Sequence, residues 1–569
     1  MKKTNRIAAG VLTAAMALSL TAASLPVNAY DITISDPAPV DEAKHTYKAF
    51  QIFAGTVVGT GANAVLTDIT WGNDVDSDKL LAELAKDEDF KTCTDLDSTL
   101  AFLKDLEFDD ETMQKFAKAA ANCTKGAGTA EDAAKPDSFK DLDGGYYLIT
   151  EPVTDALTEA DAAYTRYLLR VVDDVNIEVK KDIPSLDKVI DDDPDDEVEG
   201  VKANQVSIGD SVPYVLTSEV PDMTGYNKYY FIINDTMSEG LTFNDDIEVK
   251  IGTKTLNAGD FTVEAYADPE NGFKLVLNDF INYKSQAGDK IVITYSATLN
   301  EDADLTDEGN VNTVDLTYSN NPNHEYKGDN EPDDEDKEVV GKTPERDTKT
   351  FTTGLKLKKI DTETEEALKD AVFEIRGEGV KAVLINNQIF KKNASVDPEK
   401  AYYQLKNGTF TQKKWVEETA DQYASTDTYE LVNEVTEDTA ADTDAINKTG
   451  VSDENGIITF VGLGAGTYTI TETKAPEGYN KLSPASFEVT IEAEVNSIDQ
   501  TCEWTVKKGD EELSADADHL YTFQVKNSQG INLPGTGGTG TVIFYTVGGL
   551  LVASAAVLFV TKKRMNNSK

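Results

Sequence analysis

The chain carries a glutamate in the string Tyr468-Thr469-Ile470-Thr471-Glu472-Thr473-Lys474-Ala475-Pro476-Glu477-Gly478-Tyr479. Alternation along an extended strand sets Tyr468, Ile470 and Glu472 on one face. An ionised carboxylate on an apolar face is costly to bury, so Glu472 should bind its proton more tightly than usual. A lone Thr-Glu-Thr would read as a surface glutamate; the whole string favours a buried acid. Other chemistries find little support. With three Cys and three His in 569 residues, a disulfide scaffold is ruled out and a His-rich metal site is disfavoured. His45, His324 and His519 lie in unrelated contexts, and no Ser/His/Asp or Cys/His arrangement is suggested. No turnover enzyme, cofactor or metal is expected.

The string resembles the YxLxETxAPxGY signature, the E-box of Cna-B-like pilin domains, with Ile470 in place of the usual Leu. The resemblance implies self-crosslinking. A Lys made neutral by burial becomes a nucleophile. It attacks an Asn carboxamide polarised by the neutral acid, releases ammonia and leaves an amide. Cna-B-like domains place this Lys on the first strand and the Asn on the last. The matching positions are Lys359 and Asn527, with Lys358 on the opposite strand face as the register alternative.

A fainter set lies upstream: Lys188 in Pro184-Ser185-Leu186-Asp187-Lys188-Val189, Asp235 as the acid, and Asn312, with Asn310 competing. Its layout resembles the middle domain of sortase-assembled backbone pilins. Farther upstream, Tyr147 to Glu151 repeats the Tyr-to-Glu spacing of the E-box without its Ala-Pro-x-Gly-Tyr tail. Its companions are only guesses, Lys48 and Asn176.

The chain ends position these domains in the cell. Lys2, Lys3 and Arg6 precede an apolar run from Ile7 to Leu20 and a small-residue site at Val27-Asn28-Ala29. That is a secretory signal peptide, and the run is short for a membrane anchor. The other end reads Leu533-Pro534-Gly535-Thr536-Gly537, then about 20 uncharged residues from Thr541 to Val560, then Lys562-Lys563-Arg564. It resembles the cell-wall sorting signal of Gram-positive sortase substrates. The resemblance implies cleavage between Thr536 and Gly537 by a sortase and transfer to peptidoglycan.

The elements in between read as mainly β: tandem immunoglobulin-like, Cna-B-like sandwiches, the first with a helical insertion. We divide the chain into a signal peptide at 1–29, an N-terminal pilin domain at 30–182 and a middle sandwich at 183–345. A Cna-B-like domain follows at 346–530, then the sorting segment at 531–569. Leu80, Leu81 and Leu84, and Met113, Phe116, Ala117 and Ala120, mark helix faces in the first domain. Cys93 and Cys123 share that domain; their pairing stays open, and Cys502 has no obvious partner. The acidic run Asp191-Asp192-Asp193-Pro194-Asp195-Asp196 lacks the EF-hand alternation and reads as a solvated loop. A net charge of −50 excludes nucleic acid as a partner.

The expected function is a structural backbone subunit of a sortase-assembled surface pilus that supports adhesion and colonisation. Its partners would be pilin-type and housekeeping sortases, neighbouring pilins and peptidoglycan. Backbone pilins carry a linking lysine in a VxVYPK-like motif between their first two domains. The nearest stretch is Val175-Asn176-Ile177-Glu178-Val179-Lys180-Lys181-Asp182, with Glu178 for Tyr and Val179 for Pro. Alignment favours Lys180; Lys181 is the alternative. The competing reading is a wall-anchored adhesin or accessory pilin that binds a host ligand through the insertion Val380 to Asp444, with Tyr402, Tyr403, Trp415 and Tyr423.

Overall fold

Period-two hydrophobic patterns dominate the chain, and in the middle and third domains they bury their apolar faces sheet against sheet. The computed structural model describes residues 29–566 apart from 37–40, 60–64, 107–110, 155–156, 158–159, 172–174, 180, 192–199, 268–270, 379–383, 386–388, 393–394, 397, 399–400, 405–409, 412–413, 415–422, 424, 433–444 and 531–538. The signal peptide through Asn28, Lys180, Trp415, most of the acidic run and the whole Leu533–Gly537 pentapeptide lie outside the described residues.

In the first domain, strand Tyr30–Ser35 pairs antiparallel with Ser138–Leu142 and parallel with Val175–Glu178. A second sheet is built on Lys48–Val58, flanked by Val65–Trp71 and Gly145–Thr150. The helices Ser77–Leu84, Leu96–Leu103 and Glu111–Asn122 form the insertion. Leu80, Leu84, Met113, Phe116, Ala117 and Ala120 face a shared core, as 3.6-residue spacing requires. Asp76 and Asp95 cap the first two of these helices. Cys93 and Cys123 are buried in that core as free thiols.

The middle sandwich packs Phe231–Met237, Asn310–Ser319, Gly272–Leu277 and Phe261–Ala265 against Ser211–Glu219, Lys290–Leu299, Asp187–Ile190 and Glu248–Ile251. Along Lys290–Leu299 every second residue is buried: Ile291, Ile293, Tyr295, Ala297 and Leu299. Arg346–Phe351 pairs with Asn310–Val314 and with Ala203–Gln205, so this strand belongs to the middle sheet. The boundary drawn at 346 therefore falls inside that sheet, and the next sandwich starts at Thr353. Local alternation reveals a strand but not its partner, which is why the sequence placed it one domain too late.

In the third sandwich, the first strand Thr353–Asp361 and the last strand Leu520–Asn527 run parallel and adjacent. The facing sheet holds Val372–Glu378, Gly466–Lys474, Ser486–Asn496 and Thr501–Lys508. The two sandwiches are coupled directly. Gly464 N donates to Ser207 Oγ at 3.0 Å and Ala465 N to Gln205 Oε1 at 2.7 Å. Beyond the sandwiches, helix Thr539–Asn566 contains a 21-residue span, Ile543–Lys563, long and apolar enough to cross a membrane.

Candidate crosslinking sites

Each suspected reactive residue of the middle and third domains occupies a strand position that alternation would otherwise give to a hydrophobic side chain. In Phe231–Met237 the inward residues are Phe231, Ile233, Asp235 and Met237. Lys188 and Ile190 point inward from Asp187–Ile190, and Asn312 shares its face with Val314 and Leu316. In the third domain Lys359 follows Leu355 and Leu357, Asn527 follows Phe523 and Val525, and Glu472 follows Tyr468 and Ile470. Lys358, the register alternative, is only half-buried on the other face.

The middle set converges across the two sheets. Lys188 Nζ lies 2.8 Å from Asp235 Oδ2, and both side chains are fully buried. The Tyr295 hydroxyl donates to the same Oδ2 at 2.5 Å and accepts from Asn312 Nδ2 at 3.2 Å. Lys188 Nζ also stands over the Tyr214 and Tyr295 rings at 5.2 and 5.8 Å. Burial pushes the Lys188 amine down to about 8, with Asp235 opposing. Burial likewise raises the Asp235 carboxyl, against the pull of Lys188. Both shifts favour the uncharged pair, amine and carboxylic acid. Asp235 Oδ1 and Asn312 Oδ1 are buried without a hydrogen-bond partner. A proton on Asp235 supplies the donor that this pair of acceptors lacks. The rival Asn310 is satisfied elsewhere: its Oδ1 accepts from Asp304 N, and its Nδ2 donates to the carbonyls of Asp304 and Thr350.

The third-domain set is equally dry. Asn527 Nδ2 donates to Glu472 Oε1 at 2.8 Å, and Lys359 Nζ is 4.0 Å from the same oxygen. Leu482 N donates to Glu472 Oε2 at 2.6 Å, fixing the carboxyl in place. Lys359 Nζ donates to Val525 O at 3.1 Å, and burial lowers its amine to about 8 against the opposing charge of Glu472. Asn527 Oδ1 is again buried without a donor.

Close backbone approach supports both sets. A Cβ on Gly272 (φ +117°) would stand 2.1 Å from Asp235 O, and one on Gly456 (φ +72°) 2.2 Å from Lys359 O. Sequence reasoning missed these glycines and missed Tyr295, which reads locally as one more core aromatic in an alternating strand.

In the first domain, Tyr147 Oη donates to Asp143 O and Tyr468 Oη to Gly464 O, each four residues back. The two Tyr-to-Glu strands thus share a detail beyond spacing, and Glu151 is buried like Glu472. The guessed companions do not join Glu151. Asn176 is exposed, Lys48 is half-buried opposite Thr150, and Glu151 bonds His45 and Thr165 instead. Local spacing cannot identify partners more than a hundred residues away. In the insertion, Tyr403 and Tyr423 are buried against each other at 6.3 Å and present no contact surface.

Three family profiles match the chain. They are the SpaA prealbumin-like fold domain over residues 353–507, the Gram-positive pilin backbone subunit 2 Cna-B-like domain over 208–322, and the LPXTG cell wall anchor motif over 525–567. The Trypsin-resistant surface T6 protein of Streptococcus pyogenes serotype M6 is 27% identical over 406 residues, covering 68% of this chain and 70% of that protein. Among solved structures, the T6 backbone pilin of serotype M6 Streptococcus pyogenes is similar in fold, with a TM-score of 0.50 and 17% identity. The match covers 88% of this chain and 98% of that one. The full-length major pilin SpaD from Corynebacterium diphtheriae is 16% identical with a TM-score of 0.43, over 88% and 97% of the two chains.

Proposed function

We propose that this chain is a Gram-positive backbone pilin, as its matches to the pilin-backbone and cell-wall anchor profiles support, that Lys188–Asn312 and Lys359–Asn527 close as isopeptide bonds, and that Lys180 links successive subunits. The protein is an exported structural subunit of a sortase-assembled pilus, attached to the cell wall. Its chemistry is single-event bond formation within its own domains, with no substrate turned over.

The observation that carries this reading is the pairing of a buried amine, a buried acid and a buried carboxamide, twice, at inward strand positions. Neutral Lys attacks the Asn Cγ, and the buried acid beside it, Asp235 or Glu472, steadies the carboxamide as charge develops there. The proton lost from the amine passes by way of that acid to the amide nitrogen, which departs as ammonia. Both proton and leaving group are accounted for within the dry site. The middle bond joins the two sheets of its sandwich; the third-domain bond joins the first strand to the last.

For polymerisation, the sortase thioester formed at Thr536 is attacked by a lysine of the next subunit. Lys180 suits this role better than Lys181, whose side chain is 3% exposed and tied to Asp36 and Asp41. Incubating the exported chain with its pilin-type sortase tests the assignment. A ladder of covalent multimers is expected from wild type and Lys181→Arg, and none from Lys180→Arg. A full ladder from Lys180→Arg contradicts it.

A further inference from the structure

The E-box supplies Glu472 to the crosslink, but its tail, Ala475-Pro476-Glu477-Gly478-Tyr479, takes no part in that chemistry. The tail builds a turn. Tyr479 N donates to Pro476 O at 3.1 Å, and Gly478 adopts φ +86° at the third position, the left-handed conformation that a type II turn requires. A Cβ on Gly478 would meet nothing within 4 Å, so the glycine serves the backbone angle and not a close approach.

This turn receives the chain as it leaves the third domain. Just past the last strand, Tyr479 and Gln529 pair in an antiparallel bridge. Asn480 N donates to Ser528 O at 2.9 Å, and Gly530 N to Gly478 O at 2.8 Å. Asn480 Nδ2 adds a bond to Gln529 O at 3.1 Å. Asp361, the buried end of the first strand, anchors the pair. The N–H groups of Thr364 and Glu363 and the Tyr479 hydroxyl bond to its carboxylate and hold it down to about 2. Gln529 Nε2 lies 3.4 Å from both Asp361 Oδ2 and Tyr479 Oη. Thr362 N donates to Asn527 O at 3.0 Å. The end of the first strand, the E-box turn and the exit segment thus form one hydrogen-bonded unit beside the Lys359–Asn527 pair.

We propose that the E-box tail and Asp361 form an exit clamp, which fixes at Gly530 the point where the tether to the sorting pentapeptide leaves the folded domain. Its purpose rests on the polymerisation reading above. Thr536 lies six residues beyond Gly530 and nine beyond Asn527. At about 3.5 Å per residue, the clamp keeps Thr536 within about 21 Å of the domain, against about 32 Å if the folded body ended at its last strand. The lysine of the next subunit must come within that shorter radius. The clamp residues are therefore positioning residues for the joining of subunits, and the joint they leave is short. Tension applied through Thr536 also meets these hydrogen bonds before it meets an amide at Asn527.

The test uses the exported chain, alone and assembled by its pilin-type sortase. In hydrogen–deuterium exchange of the unassembled wild type, the Asn480 and Gly530 amides should exchange at least about tenfold more slowly than unstructured chain. Exchange at the unstructured rate overturns the clamp. Asn480→Pro combined with Gly530→Pro removes both main-chain donors and the Asn480 amide, freeing three residues. The mean-square reach of a linker grows in proportion to its length, so fibres of this variant should bend more, with a persistence length about 1.5-fold shorter by electron microscopy. Inserting Gly-Ser-Gly after Gly530 in the wild type should give the same loss with the clamp closed. An unchanged persistence length in the double-proline variant, beside a loss in the insertion variant, overturns the proposal. Peptide mapping of the Lys359–Asn527 bond checks that each domain is intact. Should the double-proline variant lack that bond, Tyr479→Phe with Gln529→Ala, which keeps both main-chain donors, takes its place; a smaller loss in the same direction is expected, and no loss overturns the clamp. Failure of the wild type to assemble at all would sink the polymerisation reading and the joint together, whereas protected Asn480 and Gly530 amides would still establish the clamp itself.

Discussion

Lys359 and Asn527 stand on the same inward face of two adjacent parallel strands, Lys359 opposite Val525 and Asn527 opposite Asp361. Glu472 reaches them from the facing sheet. The strands that meet here are the first and last of their domain, so a pull on the domain's ends loads this pair before any other. An amide between the two side chains carries that load covalently. In single-molecule stretching, the wild-type third domain should show no unfolding step between these strands. Asn527→Ala should restore one, lengthening the chain by roughly 3.5 Å for each residue released between positions 359 and 527. Equal extension of the two proteins would refute the load path.

Loss of the bond should also be visible without force. By the loop-entropy argument used for disulfides, a crosslink closing more than a hundred residues stabilises by about 5 kcal/mol. Asn527→Ala should lose a contribution of that order in chemical denaturation, measured at fixed pH.

The same variant should acquire a pH dependence that wild type lacks. With no amide, Lys359 remains an amine, lowered by burial from 10.5 to about 8 in the folded chain. Between those values the unfolded chain binds more protons, so folding stability rises with pH across the window. The increase from pH 8 to 10.5 should be on the order of 3 kcal/mol. A flat profile for Asn527→Ala, or a matching rise in wild type, would show that Lys359 does not titrate as described.

Tyr295 makes a separable prediction. Its hydroxyl donates to Asp235 and accepts from Asn312, so it sets the acid and the carboxamide at a common point. Tyr295→Phe keeps the aromatic packing against Tyr214 and Phe273. It should slow the middle crosslink about tenfold or more while leaving the Lys359–Asn527 bond at its normal rate. Time-resolved mass spectrometry after refolding distinguishes the two bonds. Equal slowing of both would indicate a general folding defect instead.

Much of this was legible because the reactive residues occupy alternating strand positions and the E-box surrounds Glu472 with recognisable neighbours. The parity that buries Tyr468 and Ile470 also buries Glu472, and the same local rule separates Lys359 from Lys358. Partners set by distant pairing were not legible. Arg346–Phe351 looks like the start of a domain until its register with Asn310–Val314 is known. Tyr295 has no local mark distinguishing it from Ile291 or Ile293. Glu151 finds His45 more than a hundred residues upstream, and no spacing connects the two.

The central claim is that buried acids drive two Lys–Asn bonds, and the intact mass of residues 30–532 with peptide mapping tests it most directly. Wild type should show two ammonia losses, about 17 Da each, mapped to Lys188–Asn312 and Lys359–Asn527. Glu472→Ala should restore only the second, and Asp235→Ala only the first. A wild-type chain whose Lys188 and Lys359 are both recovered as free amines, with no ammonia lost, would contradict the account.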